Sequence, residues 1–213
     1  MATDMERLAD VEQLVEHHRA EWDEATSNAS FITGARDGTL PERSFQRWLV
    51  QDRHFIDGLY QAQSRVIPLV TGEARRTLLN GVVALQEELD WLAHRATHLG
   101  LDLADEPVDD CLAFTDYLQT LAFVAPSVAL TAVWAVERSY LDAWSAARPG
   151  AAPYRECVEH WSNDGFRGYV SALHRAANEA LRGAAVVEHA DAQRAFRRVM
   201  TFERRFWVMT SAG

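Results

Sequence analysis

The sequence predicts an all-α protein, a single-domain helical bundle of about seven helices covering residues 1–213. Three observations support this. Apolar residues recur at helical spacing almost throughout, and no strand-type alternation is sustained. The 6 prolines and 11 glycines fall mostly at breaks between periodic segments. A length of 213 residues with 48% apolar content suits one core, and no linker is long enough to divide it.

Taken in order, the first helix is expected from about Leu8 to Ala25, where apolar positions recur every three to four residues. A polar, non-helical stretch should follow as far as Asp37-Gly38. Thr39-Leu40-Pro41-Glu42 then reads as a helix start. Thr39 can cap, Pro41 suits the first turn, and Glu42 completes a capping box. That helix should run to about Pro68, and the next from about Glu73 to Leu99, closed by Gly100. Asp102–Pro107 is a loop, and a helix lies on either side of Pro126, the second ended by Pro149-Gly150. One long helix is expected from about Tyr154 to Arg182, and a last one from about Val187 to Met209.

Composition excludes several classes of function. The net charge is −10, and all 21 basic residues are arginine. An acidic chain without a basic run is a poor ligand for nucleic acid or an anionic membrane. The two cysteines, Cys111 and Cys157, form neither a disulfide framework nor a zinc site. With no secretory leader pattern and no membrane-length apolar run, the expected compartment is the cytoplasm.

Four acidic residues on four different expected helices carry an aromatic three positions on: Asp52 with Phe55, Glu88 with Trp91, Glu137 with Tyr140, and Glu203 with Phe206. Residues i and i+3 share a helix face. If the faces converge, they form a pocket with flat apolar walls and acidic acceptors, suited to a planar, protonatable, nitrogen-rich ligand. Roughly six acid–aromatic pairs at i+3 or i+4 arise by chance in such a chain, so spacing alone also fits surface acids on amphipathic helices. Glu137 stands out, because the seven residues before it carry no charge.

Other chemistries are less well supplied. Glu87 and Glu88 precede His94 and His98, but a di-iron bundle needs a second histidine-bearing helix, and the last helix has only His189 near its start. No metal is therefore expected. The His17-His18 pair reads as a surface feature, and no cofactor is expected. Cys111 follows Asp109-Asp110, a poor setting for a thiolate, and Cys157 with His160 at i+3 reads as incidental. No Gly-rich phosphate loop or Gly-x-Ser-x-Gly turn is present.

Six blocks in order resemble the TenA/thiaminase II family, and within it the TenA-E branch. They are Phe31-Ile32 through Arg36-Asp37-Gly38; Phe45-x-x-Trp48-Leu49-x-Gln51-Asp52-x-x-Phe55; Glu88-Leu89-Asp90-Trp91; Thr131 through Glu137-x-x-Tyr140; His160 through Phe166; and Glu203-x-x-Phe206-Trp207-x-Met209. The resemblance spans nearly the whole chain. It implies a haem-oxygenase-like bundle without haem, assembled as a homodimer or homotetramer. It also implies a site for the pyrimidine half of thiamin. The family salvages degraded thiamin by converting aminomethyl-pyrimidine to hydroxymethyl-pyrimidine, and the TenA-E branch is linked with deformylating formylaminopyrimidine.

The resemblance also assigns residues. Asp52 matches the pyrimidine-binding aspartate and Glu203 the catalytic glutamate. Phe31, Phe55 and Phe114 are expected at the ring, with Trp134, Tyr140 and Trp161 closing the pocket. The better-known branch has a nucleophilic cysteine in Pro-Cys-x-Trp; here Thr131-Ala132-Val133-Trp134 puts Ala132 at that position. Where that branch has tyrosines, this chain has Val136 and Trp161. Water would then be the nucleophile, with Glu88 and Glu137 as candidate bases. Two other readings are a non-catalytic binder of hydroxymethyl-pyrimidine, which has no use for Glu203, and a metal-dependent oxidase on the same bundle.

Overall fold

The computed structural model describes residues 7–211, and every regular element among them is helical. The helical segments outnumber the seven or so expected, because two of the expected helices are broken and a third segment folds where none was foreseen.

The first break is at His18. Its backbone (φ −117°, ψ 31°) leaves the helical region and separates α1 (Glu12–His17) from α2 (Arg19–Ala25). The bend lets each short piece bury its own apolar residues, Leu14 and Val15 in α1 and Trp22 and Ala25 in α2. The supposed polar stretch contains α3 (Ser30–Asp37), because Phe31, Ile32 and Ala35 form a buried stripe that outweighs the polar residues between them. Gly38, at φ 77°, ends α3 in the left-handed region.

Thr39 does not cap the next helix. Its N–H donates to the Gly34 carbonyl at 3.0 Å, closing α3 instead. Pro41 takes the cap position of α4 (Glu42–Val66) without a side-chain cap. Pro68 lies in a short 3-10 turn, Ile67–Leu69, beyond its end. Helix α5 (Gly72–Leu99) stops at Gly100, which is left-handed at φ 66°, as its sequence predicts. Helix α6 (Asp109–Gln119) and a 3-10 turn (Thr120–Phe123) lead to α7 (Pro126–Ala146), with Pro126 at the start where its missing N–H costs nothing.

The long helix expected over 154–182 is two: α8 (Arg155–Trp161) and α9 (Asp164–Arg182). Asn163 is the reason. Its side chain accepts a hydrogen bond from the Phe166 N–H at 2.8 Å, which starts a new helix at a new angle. Replacing Asn163 by alanine is expected to lower stability by about 1 kcal/mol in urea denaturation. An unchanged midpoint would show that the cap contributes nothing. The chain closes with α10 (Val186–Ser211).

Helix α7 is the centre of the bundle. It is buried along most of its length and packs against α9 and α10, while α4 packs against α5 and α6. Trp48, Trp144 and Trp207 come from three helices and are almost wholly buried beside Phe31. Burial of each such ring contributes on the order of 2–3 kcal/mol, so this aromatic layer anchors the floor on which the acidic side chains stand. No helix among the described residues is long and apolar enough to cross a membrane.

Candidate active site

Beside α7 lies a narrow cavity of about 60 Å³. Phe55 of α4, Tyr140 of α7, Trp161 of α8, and Phe166 and Tyr169 of α9 form its walls; Glu88 of α5 and Glu137 of α7 supply its acids. Of the residues expected at a pocket, Phe55, Glu88, Glu137, Tyr140 and Trp161 therefore line one space.

Asp52 stands one hydrogen bond behind this wall. It is fully buried, and the Tyr140 hydroxyl donates to its Oδ1 at 2.9 Å while Oδ2 has no partner. Burial pushes its pKa well above the ordinary carboxylate range; the Tyr140 hydrogen bond opposes this and the charge of Glu88 adds to it. Glu203 of α10 is buried to the same degree, with Oε1 unpartnered. Burial pushes it up to about 8, against a hydrogen bond from Ser139 and with added repulsion from Asp52 and Glu137. Glu137 rises to about 8 as well, through burial and the charge of Glu88, opposed by a hydrogen bond from Gln63. The four acids thus feel one another, and burial raises three of them, Asp52, Glu137 and Glu203, above the ordinary carboxylate range.

Glu88 is arranged differently. Its Oε2 lies 2.7 Å from His160 Nε2, and the His160 ring stacks on Trp91 at 4.2 Å and 10°. This pair is partly exposed and sits at the cavity's outer end.

Three expected pocket residues lie elsewhere. Phe114 is in the layer behind, with its ring centroid 4.9 Å from Phe55. Phe31 belongs to the aromatic floor, stacked on Trp207 at 5.3 Å, which in turn stacks on Tyr140 at 5.8 Å. Trp134 does not close the cavity. It lines a separate cleft with Arg138 and His174 and faces Phe196. The helical turn explains this: at about 100° per residue, Trp134, Arg138 and Leu141 share one stripe of α7, and Val136 and Tyr140 share another.

Sequence reading missed Gln63, Tyr169, Gly81 and His160. The Tyr169 hydroxyl donates to Gln63 Oε1 at 2.8 Å, and Gln63 Nε2 donates to Glu137 Oε1 at 3.0 Å. Two signals were available. Gln63 is a polar residue continuing the apolar stripe Ile56–Leu59, and Gly81 is a lone glycine inside a long helix, which costs about 1 kcal/mol and so implies close packing.

Both cysteines are buried and free, and burial pushes each thiol up to about 12. Cys111 donates to the Gln51 carbonyl at 3.4 Å. Neither is a thiolate near neutral pH. Among the described residues, no three His, Cys, Asp or Glu side chains are grouped as a metal ion would require. His94 and His98 are exposed, and His98 Nδ1 contacts the His94 carbonyl.

Comparison with known proteins identifies the fold and the family. A Glycine max protein named as a probable bifunctional TENA-E protein is 27% identical, covering 97% of this chain and 95% of its own. The structure of a TenA homologue from Pyrococcus furiosus superposes with a TM-score of 0.89 at 23% identity, over 93% of this chain and 98% of that one. A Shewanella denitrificans domain with a haem-oxygenase-like fold matches with a TM-score of 0.73 at 13% identity, over 94% and 91% of the two chains. The fold is therefore haem-oxygenase-like. The model of the TENA/THI-4/PQQC family matches residues 15–212, nearly the whole sequence, and the chain belongs to that family.

Proposed function

We propose that the protein is a hydrolase acting on the 5-substituent of thiamin-derived 4-aminopyrimidines. One observation carries this reading: Glu88 and Glu137 line a slot walled by flat aromatic rings, and Asp52 and Glu203 are buried behind it within electrostatic reach of them. The narrowness of the slot favours one planar ring. The unpartnered acid oxygens buried behind it, Asp52 Oδ2 and Glu203 Oε1, favour a ligand rich in N–H donors. The TENA-E name of the Glycine max relative points the same way.

In this reading Asp52 accepts from the ring amino group or a protonated ring nitrogen, and Tyr140 orients the carboxylate. A protonated ring brings the positive charge that the buried acids lack, so Asp52 ionises as the ligand binds. Glu203 gives a proton to the departing nitrogen. Water attacks, and Glu137 takes its proton. With an aminomethyl substituent the C–N bond breaks, the amine leaves as ammonia, and the water oxygen stays on the methylene carbon to give hydroxymethyl-pyrimidine. A formylaminomethyl group loses formate and keeps its amine. Glu88, tied to His160, closes the outer end and adds negative potential for a cationic ligand.

The test is a substrate panel on the wild-type protein, followed by chromatography. Turnover of aminomethyl- or formylaminomethyl-pyrimidine is expected. Tight calorimetric binding with no product after long incubation would instead identify a pyrimidine carrier. Glu137→Gln is expected to lower kcat about 100-fold on both substrates, within the usual range for a general base. Full turnover of both by this variant would remove Glu137 from the mechanism.

A further inference from the structure

Glu137 is the one cavity acid whose carboxyl is held by a chain of side chains from other helices. Gln63 of α4 is wholly buried and donates through Nε2 to Glu137 Oε1. Its other end accepts from the Tyr169 hydroxyl of α9. A primary amide has one accepting end and one donating end. With Tyr169 donating to the first, the second must face Glu137. An N–H aimed at a carboxyl favours its ionised form.

Helix α5 leaves space for this chain. A Cβ on Gly81 would lie 2.1 Å from the Tyr169 hydroxyl and 2.7 Å from Gln63 Oε1. Any side chain at position 81 would therefore displace the two atoms that join Tyr169 to Gln63. Gly81 also lines the cavity, so the niche opens onto the reacting space.

The other groups acting on Glu137 push the opposite way. Glu88 from α5 and Glu203 from α10 are both acidic. Tyr169 from α9 stays neutral, its pKa raised well above the ordinary phenol value chiefly by burial. Tyr140, one turn along α7, is likewise raised by burial and is committed to Asp52 of α4.

We propose that Gln63, locked by Tyr169 in the niche left open by Gly81, is a positioning residue that orients Glu137 as the water-activating base. Oε1 is taken by the amide, so Oε2 is the oxygen that meets the water. This assignment rests on the hydrolase reading for its catalytic consequence, while the orientation of Glu137 is open to measurement without turnover.

The test compares wild type with Gln63→Leu and Tyr169→Phe. The pH dependence of kcat/KM should be bell-shaped in the wild type, with a limb that rises as Glu137 ionises and one that falls as Glu203 loses its proton, both near 8. In Gln63→Leu the rising limb should move up by about one pH unit, because burial is no longer opposed; at pH 7 kcat falls about tenfold and KM stays within about twofold. Tyr169→Phe, which loses only a hydroxyl, should move the limb the same way by less, and it keeps the test available if Gln63→Leu does not fold. Gly81→Ala should reproduce the Gln63→Leu shift, and adding it to Gln63→Leu should cost little more, as expected for parts of one unit.

Infrared titration of the carboxyl groups, with Glu137→Gln as the blank, reads the same upward shift in the free protein. If the infrared midpoint shifts while wild type turns over no aminopyrimidine, the hydrolase reading falls and the positioning of Glu137 stands. If turnover is present and neither the limb nor the infrared midpoint moves in either variant, the proposal is overturned.

Discussion

Glu203→Gln is expected to lower kcat on aminomethyl-pyrimidine by about a thousandfold while changing ligand affinity by no more than a few fold. The reasons lie in the setting of Glu203. It is nearly inaccessible, Oε1 has no partner, and burial raises it to about 8, so it carries a transferable proton at neutral pH. Proton transfer to a leaving nitrogen contributes about 10²–10⁴-fold, and an amide of the same shape cannot provide it. The expected loss exceeds that for Glu137→Gln because an expelled amine needs its proton before the bond breaks, whereas water is a nucleophile of sorts without a base. The substitution should not unfold the protein, since it replaces a buried acid, one of whose oxygens has no partner, by a neutral isostere. Steady-state kinetics with calorimetry on the same preparation decide the matter. A loss confined to KM would make Glu203 a binding group.

How much of this was legible in the sequence depends on the range of the interaction. The acid–aromatic pairs are local, so helical periodicity singled out Asp52, Glu88, Glu137 and Glu203, but it fitted surface acids as well, and the family resemblance was needed to group them at one site. Breaks in helices were less legible. His18 carries no breaker signal, whereas Ser162-Asn163-Asp164-Gly165 is a cap-and-turn cluster that the expectation of one helix over 154–182 passed over. In α3 the polar residues hid a stripe of only a few apolar ones. Trp134 was misplaced because its motif was read as a block, although neighbouring positions of a helix face different sides. The Tyr169–Gln63–Glu137 chain joins residues 106 and 74 positions apart, which no local pattern encodes. Its trace in the sequence was a polar residue and a glycine, each in a place that only a partner explains.

Stability should fall as pH rises from about 4.5 to about 8. Glu137 and Glu203 have folded pKa values of about 8 against ordinary values of 4.5, and Asp52 is shifted in the same direction. Between those limits the folded protein binds more protons than the unfolded chain, so the unfolding free energy decreases with pH. The stabilising contribution is complete below the unfolded pKa and is lost as pH passes through the folded one. Each group can account for a few kcal/mol, and because the acids repel one another, their protons leave in shared steps. Thermal denaturation followed by circular dichroism should show Tm declining across this range, and the Glu137→Gln/Glu203→Gln double variant should flatten the decline. A flat wild-type profile would mean that the acids are ionised and compensated in the folded state. The same linkage bears on the ligand. An aminopyrimidine that carries a positive charge at the assay pH neutralises the cluster, so it should raise Tm more at pH 9 than at pH 6. A neutral aromatic of the same size lacks that charge and should show no such pH dependence. The destabilisation carried by the empty site and the preference for a protonatable ring would then have one physical origin, a set of carboxyl groups buried without a cation.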